Sequence, residues 1–317
     1  MYYLGVDLGG TNIAIGLVNE EFKIVLKDKV PTGASRPLSD IMDDMADLCK
    51  SVVKQAGITF DDVAYAGIAA PGSVDPKKGM VRYTNNIKME NFPICEELKK
   101  RTPLKAVYLE NDANAAALAE AKVGAGKGHS SLVMITLGTG VGGGIVIDGK
   151  LYSGFNYSGA ELGHTVIEMG GRPCTCGRLG CFEAYSSATG LIRMTKEKMM
   201  DSASSMMWEL AKNNLERVSG RTAFDAAKKG DKAGKEVVDM YIKYLACGLT
   251  NMVNIFQPEV LCIGGGVCGE GNYLLKPLVK SIRRAEYGAA TQTDFCQIKI
   301  AELGNDAGII GAAALGI

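Results

Sequence analysis

Leu4-Gly5-Val6-Asp7-Leu8-Gly9-Gly10-Thr11-Asn12-Ile13-Ala14-Ile15-Gly16-Leu17-Val18 places an alternating apolar run on each side of a Gly-Gly-Thr-Asn turn. Alternation at period two predicts strands, and the glycines predict a tight reversal between them. Residues 132–147 repeat the pattern, with Leu137-Gly138-Thr139-Gly140-Val141-Gly142-Gly143-Gly144 at the turn. Two strand–turn–strand units about 130 residues apart predict a duplicated architecture. Each half is expected to be a mixed α/β domain, with the glycine turns facing each other across a cleft. The glycine-rich stretch 124–131 is the expected boundary, a hinge rather than a flexible tether.

Outward from these units, further strands are predicted at 22–30, 63–70, 107–109, 260–263 and 298–303. Helical spacing predicts a helix at 38–56, the Ala-rich run 112–122 and the Ala/Gly-rich run 307–315 read as helices, as does 274–284, and the chain across 185–256 is mostly helical, stopped by Pro258. The chain has 317 residues, ample for two cored domains. Lys plus Arg equals Asp plus Glu, 35 each, so a general nucleic-acid or membrane surface is not expected. No secretory signal or membrane span is evident, so the protein is expected in the cytoplasm and its nine cysteines in reduced or metal-bound form.

Glycine lets backbone N–H groups approach an anion closely and reach φ > 0. Gly9-Gly10-Thr11 and Gly138-Thr139-Gly140 therefore fit phosphate turns, although either one alone also fits an ordinary hairpin. No Walker-type Gly-x-x-x-x-Gly-Lys-Ser/Thr occurs. Gly138-x-Gly140-x-x-Gly143 is followed by a strand where a dinucleotide fold needs a helix. Gly264-x-Gly266-x-x-Gly269 does lie between a strand and a helix, which leaves a dinucleotide-dependent oxidoreductase open.

Cys174-x-Cys176-x4-Cys181, with His164 ten residues earlier, supplies three thiolates and an imidazole, a closed tetrahedral zinc set. Such a zinc leaves no open position and is expected to be structural. The string Glu110-Asn111-Asp112-Ala113-Asn114 opens a helix. Its polar residues fit ordinary capping, and its carboxylate also fits a proton acceptor for an attacking hydroxyl.

Asp7-Leu8-Gly9-Gly10-Thr11-Asn12, Leu137 to Gly144 and Gly264-Gly265-Gly266-Val267 resemble the phosphate and adenosine motifs of the ROK family of repressors, open reading frames and kinases. Glu161-Leu162-Gly163-His164 and the cysteine loop resemble its signature. The resemblance covers essentially the whole chain. It implies two actin-like (ribonuclease H-like) α/β ATPase domains around a cleft. Residues 1–120 with 303–317 would form one, because the C-terminal helix packs back on it, and 121–302, with the zinc loop, the other. It implies ATP and Mg²⁺ as cofactors, with Asp7, Gly9, Gly10, Thr11, Asn12, Gly138, Thr139 and Gly140 around the phosphates and Gly264, Gly265 and Gly266 facing adenosine. Mg²⁺ is expected near Asp7. By the same resemblance Asp112 is the general base, and Gly72, Asn86, Asn111, Glu161, His164 and Glu183 line the sugar pocket. The family more often has Pro where Asn85 stands.

The implied activity is ATP-dependent phosphorylation of a hexose hydroxyl by a homodimer or larger homo-oligomer. Glu183-Ala184-Tyr185-Ser186-Ser187-Ala188-Thr189 resembles the glucose-phosphorylating branch, with N-acetylmannosamine, N-acetylglucosamine, fructose and allose kinases as alternatives. Removing Glu183 is expected to weaken sugar binding and leave ATP binding nearly unchanged. A sugar-responsive regulator would carry a helix-turn-helix domain ahead of Asp7, for which no room is expected here.

Overall fold

The computed structural model describes residues 1–85, 87–291 and 293–317. The chain divides into two compact units. Met1–Leu132, Gly144–Ala160 and Glu302–Ile317 form the first, and Val133–Gly143 with Glu161–Ala301 the second.

The chain opens with β1 (Tyr2–Leu8), β2 (Asn12–Val18) and β3 (Ile24–Pro31), an antiparallel meander. Helix α1 (Leu38–Gln55) follows. Its Ile41, Met42, Met45, Cys49, Val52 and Val53 recur at helical spacing and are all buried. Next come β4 (Val63–Ala70), the short strands β5 (Ser73–Asp75), β6 (Met80–Thr84) and β7 (Met89–Phe92), helix α2 (Ile94–Arg101), β8 (Val107–Asn111) and α3 (Asp112–Val123). The first sheet runs β3-β2-β1-β4-β8, with β4 parallel to both β1 and β8. β5, β6 and β7 make a separate antiparallel sheet.

The second half opens with β9 (Leu132–Leu137), β10 (Val141–Ile147) and β11 (Lys150–Leu151). Helices α4 (Phe182–Ser186), α5 (Ala188–Met200), α6 (Met206–Leu210), α7 (Thr222–Lys228) and α8 (Lys232–Phe256) follow, then β12 (Val260–Gly264), α9 (Asn272–Ala285), β13 (Gln297–Ile300) and α10 (Ala307–Ala313). The second sheet runs β11-β10-β9-β12-β13. Numbered from the first strand of each sheet, both read 3-2-1-4-5. The duplication expected from the glycine turns is therefore present in the topology.

One face of the first sheet packs on α1 and α2, where Leu4, Val6, Ile13, Ile15, Met42, Met45 and Leu98 share a core. α10 covers β1, β4 and α3. That contact is backbone on backbone: a Cβ at Gly5 would lie 1.9 Å from the Ile309 carbonyl oxygen, and one at Gly67 would lie 1.8 Å from that of Ala312. No side chain fits there, so glycine sets the spacing. In the second unit α8 is capped by Asp231, whose carboxylate accepts from Gly234 N at 2.6 Å. It ends at Gln257, φ +40, just before Pro258.

Candidate active site

Asp7 stands next to last in β1, beside the first glycine turn. Gly9 N–H donates to Asn12 O at 2.9 Å, closing the hairpin. The wholly buried Thr32 braces it from behind: its hydroxyl donates to Gly9 O at 2.6 Å and its N–H to Thr11 O at 2.8 Å. Gly10, Thr11 and Asn12 are left facing solvent. Burial, then repulsion from Asp112, raises the Asp7 carboxyl from 3.8 to about 6. A Cβ at Gly308, from the C-terminal segment, would lie 2.7 Å from that carboxylate, so glycine keeps its approach open.

At the β8–α3 junction the N-cap is Asn111. Its Oδ1 accepts from Ala113 N at 2.9 Å and Asn114 N at 3.3 Å, while its Nδ2 donates to Gly72 O at 3.0 Å. Asn111 and Gly72 are thus brought together. Gly72 sits at φ +84, where a Cβ would meet Tyr83 O at 2.3 Å. Asp112 is exposed, and its Oδ1 accepts from Ala113 N at 2.8 Å. Asn86 lies outside the described residues. A support that no sequence motif marks lies below this turn. Buried Glu110 accepts from Asn111 N at 2.8 Å and Asn114 Nδ2 at 3.0 Å. Burial raises the Glu110 carboxyl despite those two bonds. The i, i+4 spacing of Glu110 and Asn114 was its only signal.

In the second unit the turn between β9 and β10 is closed by Gly138 N donating to Gly140 O at 3.0 Å. The α4–α5 segment holds it from outside. Ala188 N donates to Gly138 O at 2.8 Å, the Thr189 hydroxyl donates to Thr139 O at 2.8 Å, and Val141 N donates to the Glu183 carboxylate at 2.9 Å. Gly9, Gly10, Gly138 and Gly140 are absent from the left-handed region, contrary to the φ > 0 expected of the phosphate turns. What Gly140 supplies is space, since a Cβ there would lie 2.3 Å from Glu183 Oε2. The left-handed glycine is Gly265, φ +95, packed where a Cβ would meet Leu137 O at 2.3 Å. After Gly264 a 3-10 turn, Gly266–Glu270, precedes α9.

His164 closes a 3-10 turn begun at Glu161, its N–H donating to Glu161 O at 3.0 Å. The ligand atoms of His164, Cys174, Cys176 and Cys181 all lie within 4.8 Å of one another. Cys174 Sγ is 3.6 Å from His164 Nδ1, and Cys176 Sγ is 3.6 Å from Cys181 Sγ. Ligands about 2.3 Å from a tetrahedral zinc stand roughly 3.8 Å apart, so the donor set fits that ion. Gly177 N donating to Cys174 O at 3.0 Å and Cys174 N to Arg178 O at 2.9 Å fold the loop into the chelating turn. His164 Nδ1 faces the thiols and leaves Nε2 as the ring's other polar atom. Cys174 Sγ and the Thr175 hydroxyl reach Glu183 Oε1 at 3.4 and 3.2 Å, so Glu183 spans the cysteine loop and the glycine turn.

Two sheets of one strand order, each opening on a glycine-turned hairpin, define the actin-like α/β class of sugar kinases. The chain belongs to the ROK family, whose profile matches residues 3–317. It is 39% identical over 313 residues to the glucokinase of Thermotoga maritima, covering 98% of this chain and 96% of that one. It is 37% identical over 316 residues to the glucokinase of Halalkalibacterium halodurans, covering 99% and 94%. The structure of a ROK family glucokinase from Streptomyces griseus in complex with glucose and AMPPNP superposes with a TM-score of 0.82 at 35% identity, covering 99% of each chain. Membership removes the ground for the oxidoreductase reading of Gly264 to Gly269.

Proposed function

We propose that this chain transfers the γ-phosphoryl group of ATP to a hydroxyl of glucose, giving glucose 6-phosphate and ADP. The observation that carries the reading is similarity over nearly the whole length to glucokinases, one of them solved with glucose and an ATP analogue. The residues assigned from the sequence take the following roles in this reading.

Asp112 is the general base. It is exposed at a helix start whose capping is carried by Asn111, and a carboxylate can accept the proton of a sugar hydroxyl. As the sugar oxygen bonds to the γ-phosphorus, its proton passes to Asp112, and the bond from that phosphorus to the β-phosphate oxygen breaks toward ADP. Asn111, Gly72, Glu161, His164 and Glu183 orient the sugar, and Asn86 is assigned with them. Gly9 to Asn12 and Gly138 to Gly140 receive the phosphates, and Gly264 to Gly266 the adenosine. Burial and then repulsion from Asp112 raise the cost of ionising Asp7, which suits a divalent cation. Mg²⁺ bound near Asp7 would offset phosphate charge. His164, Cys174, Cys176 and Cys181 would hold a structural Zn²⁺ that fixes the loop bearing Glu183.

Among the described residues no helix is long and apolar enough to cross a membrane. A cytoplasmic location and assembly as a homodimer or larger homo-oligomer complete the proposal. Sedimentation would test the assembly. Initial rates with ATP and Mg²⁺ against glucose, fructose, allose, N-acetylmannosamine and N-acetylglucosamine test the activity. Glucose should give the highest kcat/KM. A higher value for another hexose reassigns the sugar, and no turnover with any of them removes the kinase reading.

A further inference from the structure

The segment from Glu183 to Thr189, whose sequence suggests the sugar branch, is also the segment that grips the second glycine turn. Two of its three bonds end on consecutive carbonyls: Ala188 N–H on Gly138 O and the Thr189 hydroxyl on Thr139 O, each at 2.8 Å. In a trans peptide the carbonyl of one residue and the N–H of the next point in opposite directions. Drawing the carbonyls of Gly138 and Thr139 toward the α5 start therefore turns the N–H groups of Thr139 and Gly140 the other way. Thr139 is exposed and Gly140 half-buried, so those amides are aimed on the solvent side of the turn. The third bond removes the next amide from use, because Val141 N–H is held by the Glu183 carboxylate at 2.9 Å. The turn thus presents two adjacent amides, a nest suited to one anionic oxygen.

We infer that Thr189 is a positioning residue for the nucleotide, and that Glu183 serves both substrates by fixing the phosphate turn with one carboxylate oxygen. The inference rests on reading Gly138 to Gly140 as an ATP phosphate turn. Thr189 acts through the Thr139 carbonyl and touches no substrate in this role. Glu183 acts through Val141 N–H, while its other oxygen faces the cysteine loop. This changes the expectation that removing Glu183 spares ATP.

Calorimetric titration of AMPPNP and of glucose, each into wild-type protein and three variants, separates the roles. Thr189→Val keeps the shape and removes the donor. It should weaken AMPPNP about three- to tenfold, the equivalent of one hydrogen bond, with glucose affinity within about twofold. Thr189→Ser restores the hydroxyl and should return AMPPNP to within about twofold of wild type. Glu183→Ala should weaken both ligands. Unchanged AMPPNP affinity in Thr189→Val, equal loss of both ligands in it, failure of Thr189→Ser to rescue, or unchanged AMPPNP affinity in Glu183→Ala would each overturn the inference. Wild-type protein that binds glucose but not AMPPNP would overturn the phosphate reading, and this inference with it.

Discussion

Asp112 stands one position past the residue that caps α3. Asn111 holds the amides of both Ala113 and Asn114, and the bond from Ala113 N to Asp112 Oδ1 is one an asparagine oxygen keeps. Asp112→Asn should therefore fold and bind both ligands while kcat falls at least about 10²-fold, since only the proton acceptor is lost. Near-normal kcat in that variant would return Asp112 to a helix-start role. Asp7 gives a pH prediction. Its carboxyl is raised from 3.8 to about 6, so between those values the folded protein holds more proton than the unfolded chain. Stability from this group is thus full below about pH 4 and declines as pH rises to about 6. Without Mg²⁺, Asp7→Asn should melt higher than wild type at pH 7.5, with the gap closing toward pH 4. A gap that does not change with pH would show that the Asp7 charge is not the cause. At this scale the sequence made chemically distinctive groups legible. The acid at the start of α3 and the grouping of His164 with Cys174, Cys176 and Cys181 were readable, whereas the bonds of Glu110 and Thr189 were not. A lone acid or threonine carries no mark of the backbone group it will meet.

Elements differ in the same way. α1, α9 and the central strands were legible because their apolar periods continue for several turns or alternations, and α3 because it is rich in alanine. β5, β6 and β7 were not. They are three, five and four residues long, too short for a period to show, and they pair with one another while Val74, Val81 and Met89 enter the core. The cysteine loop was legible from ligand chemistry rather than from period, and it makes the sharpest test at this scale. Purified protein should contain about one zinc per chain. Cys176→Ala should lose metal and thermal stability together, because forming the site and folding the loop are one process. Metal-free protein of full stability and activity would remove zinc from the account. The seat of α10 gives a second test. Gly67→Ala puts a methyl group 1.8 Å from the Ala312 carbonyl oxygen, which only backbone movement can relieve. A loss of at least about 2 kcal/mol is expected in denaturant unfolding, against a few tenths for Gly→Ala at an open site.

For the whole molecule, the repeated strand–glycine turn–strand pattern carried the most information, since both sheets share one strand order. What no local pattern displays is how the distant C-terminal segment closes onto the first unit. Glu120 is central to that closure. It is wholly buried on α3, and its carboxylate accepts three backbone N–H groups: Ala125 at 2.8 Å, Glu302 at 2.9 Å and Leu303 at 2.8 Å. One side chain thus ties the end of α3 to a segment about 180 residues later, just ahead of α10. Glu120→Ala leaves all three donors without this acceptor, the Ala125 amide among them in a buried place. An unmade buried bond costs about 1–3 kcal/mol, so a loss of at least about 3 kcal/mol is expected. Glu120→Gln retains one oxygen but brings an NH₂ toward N–H donors, and should fall between wild type and Glu120→Ala. Hydrogen exchange locates the effect. If Glu120 ties the C-terminal segment, the amides of Glu302, Leu303 and α10 should lose protection in Glu120→Ala well before those of α8. Uniform loss across both units, or an unfolding free energy within about 0.5 kcal/mol of wild type, would show that α10 is held by its glycine-mediated packing alone.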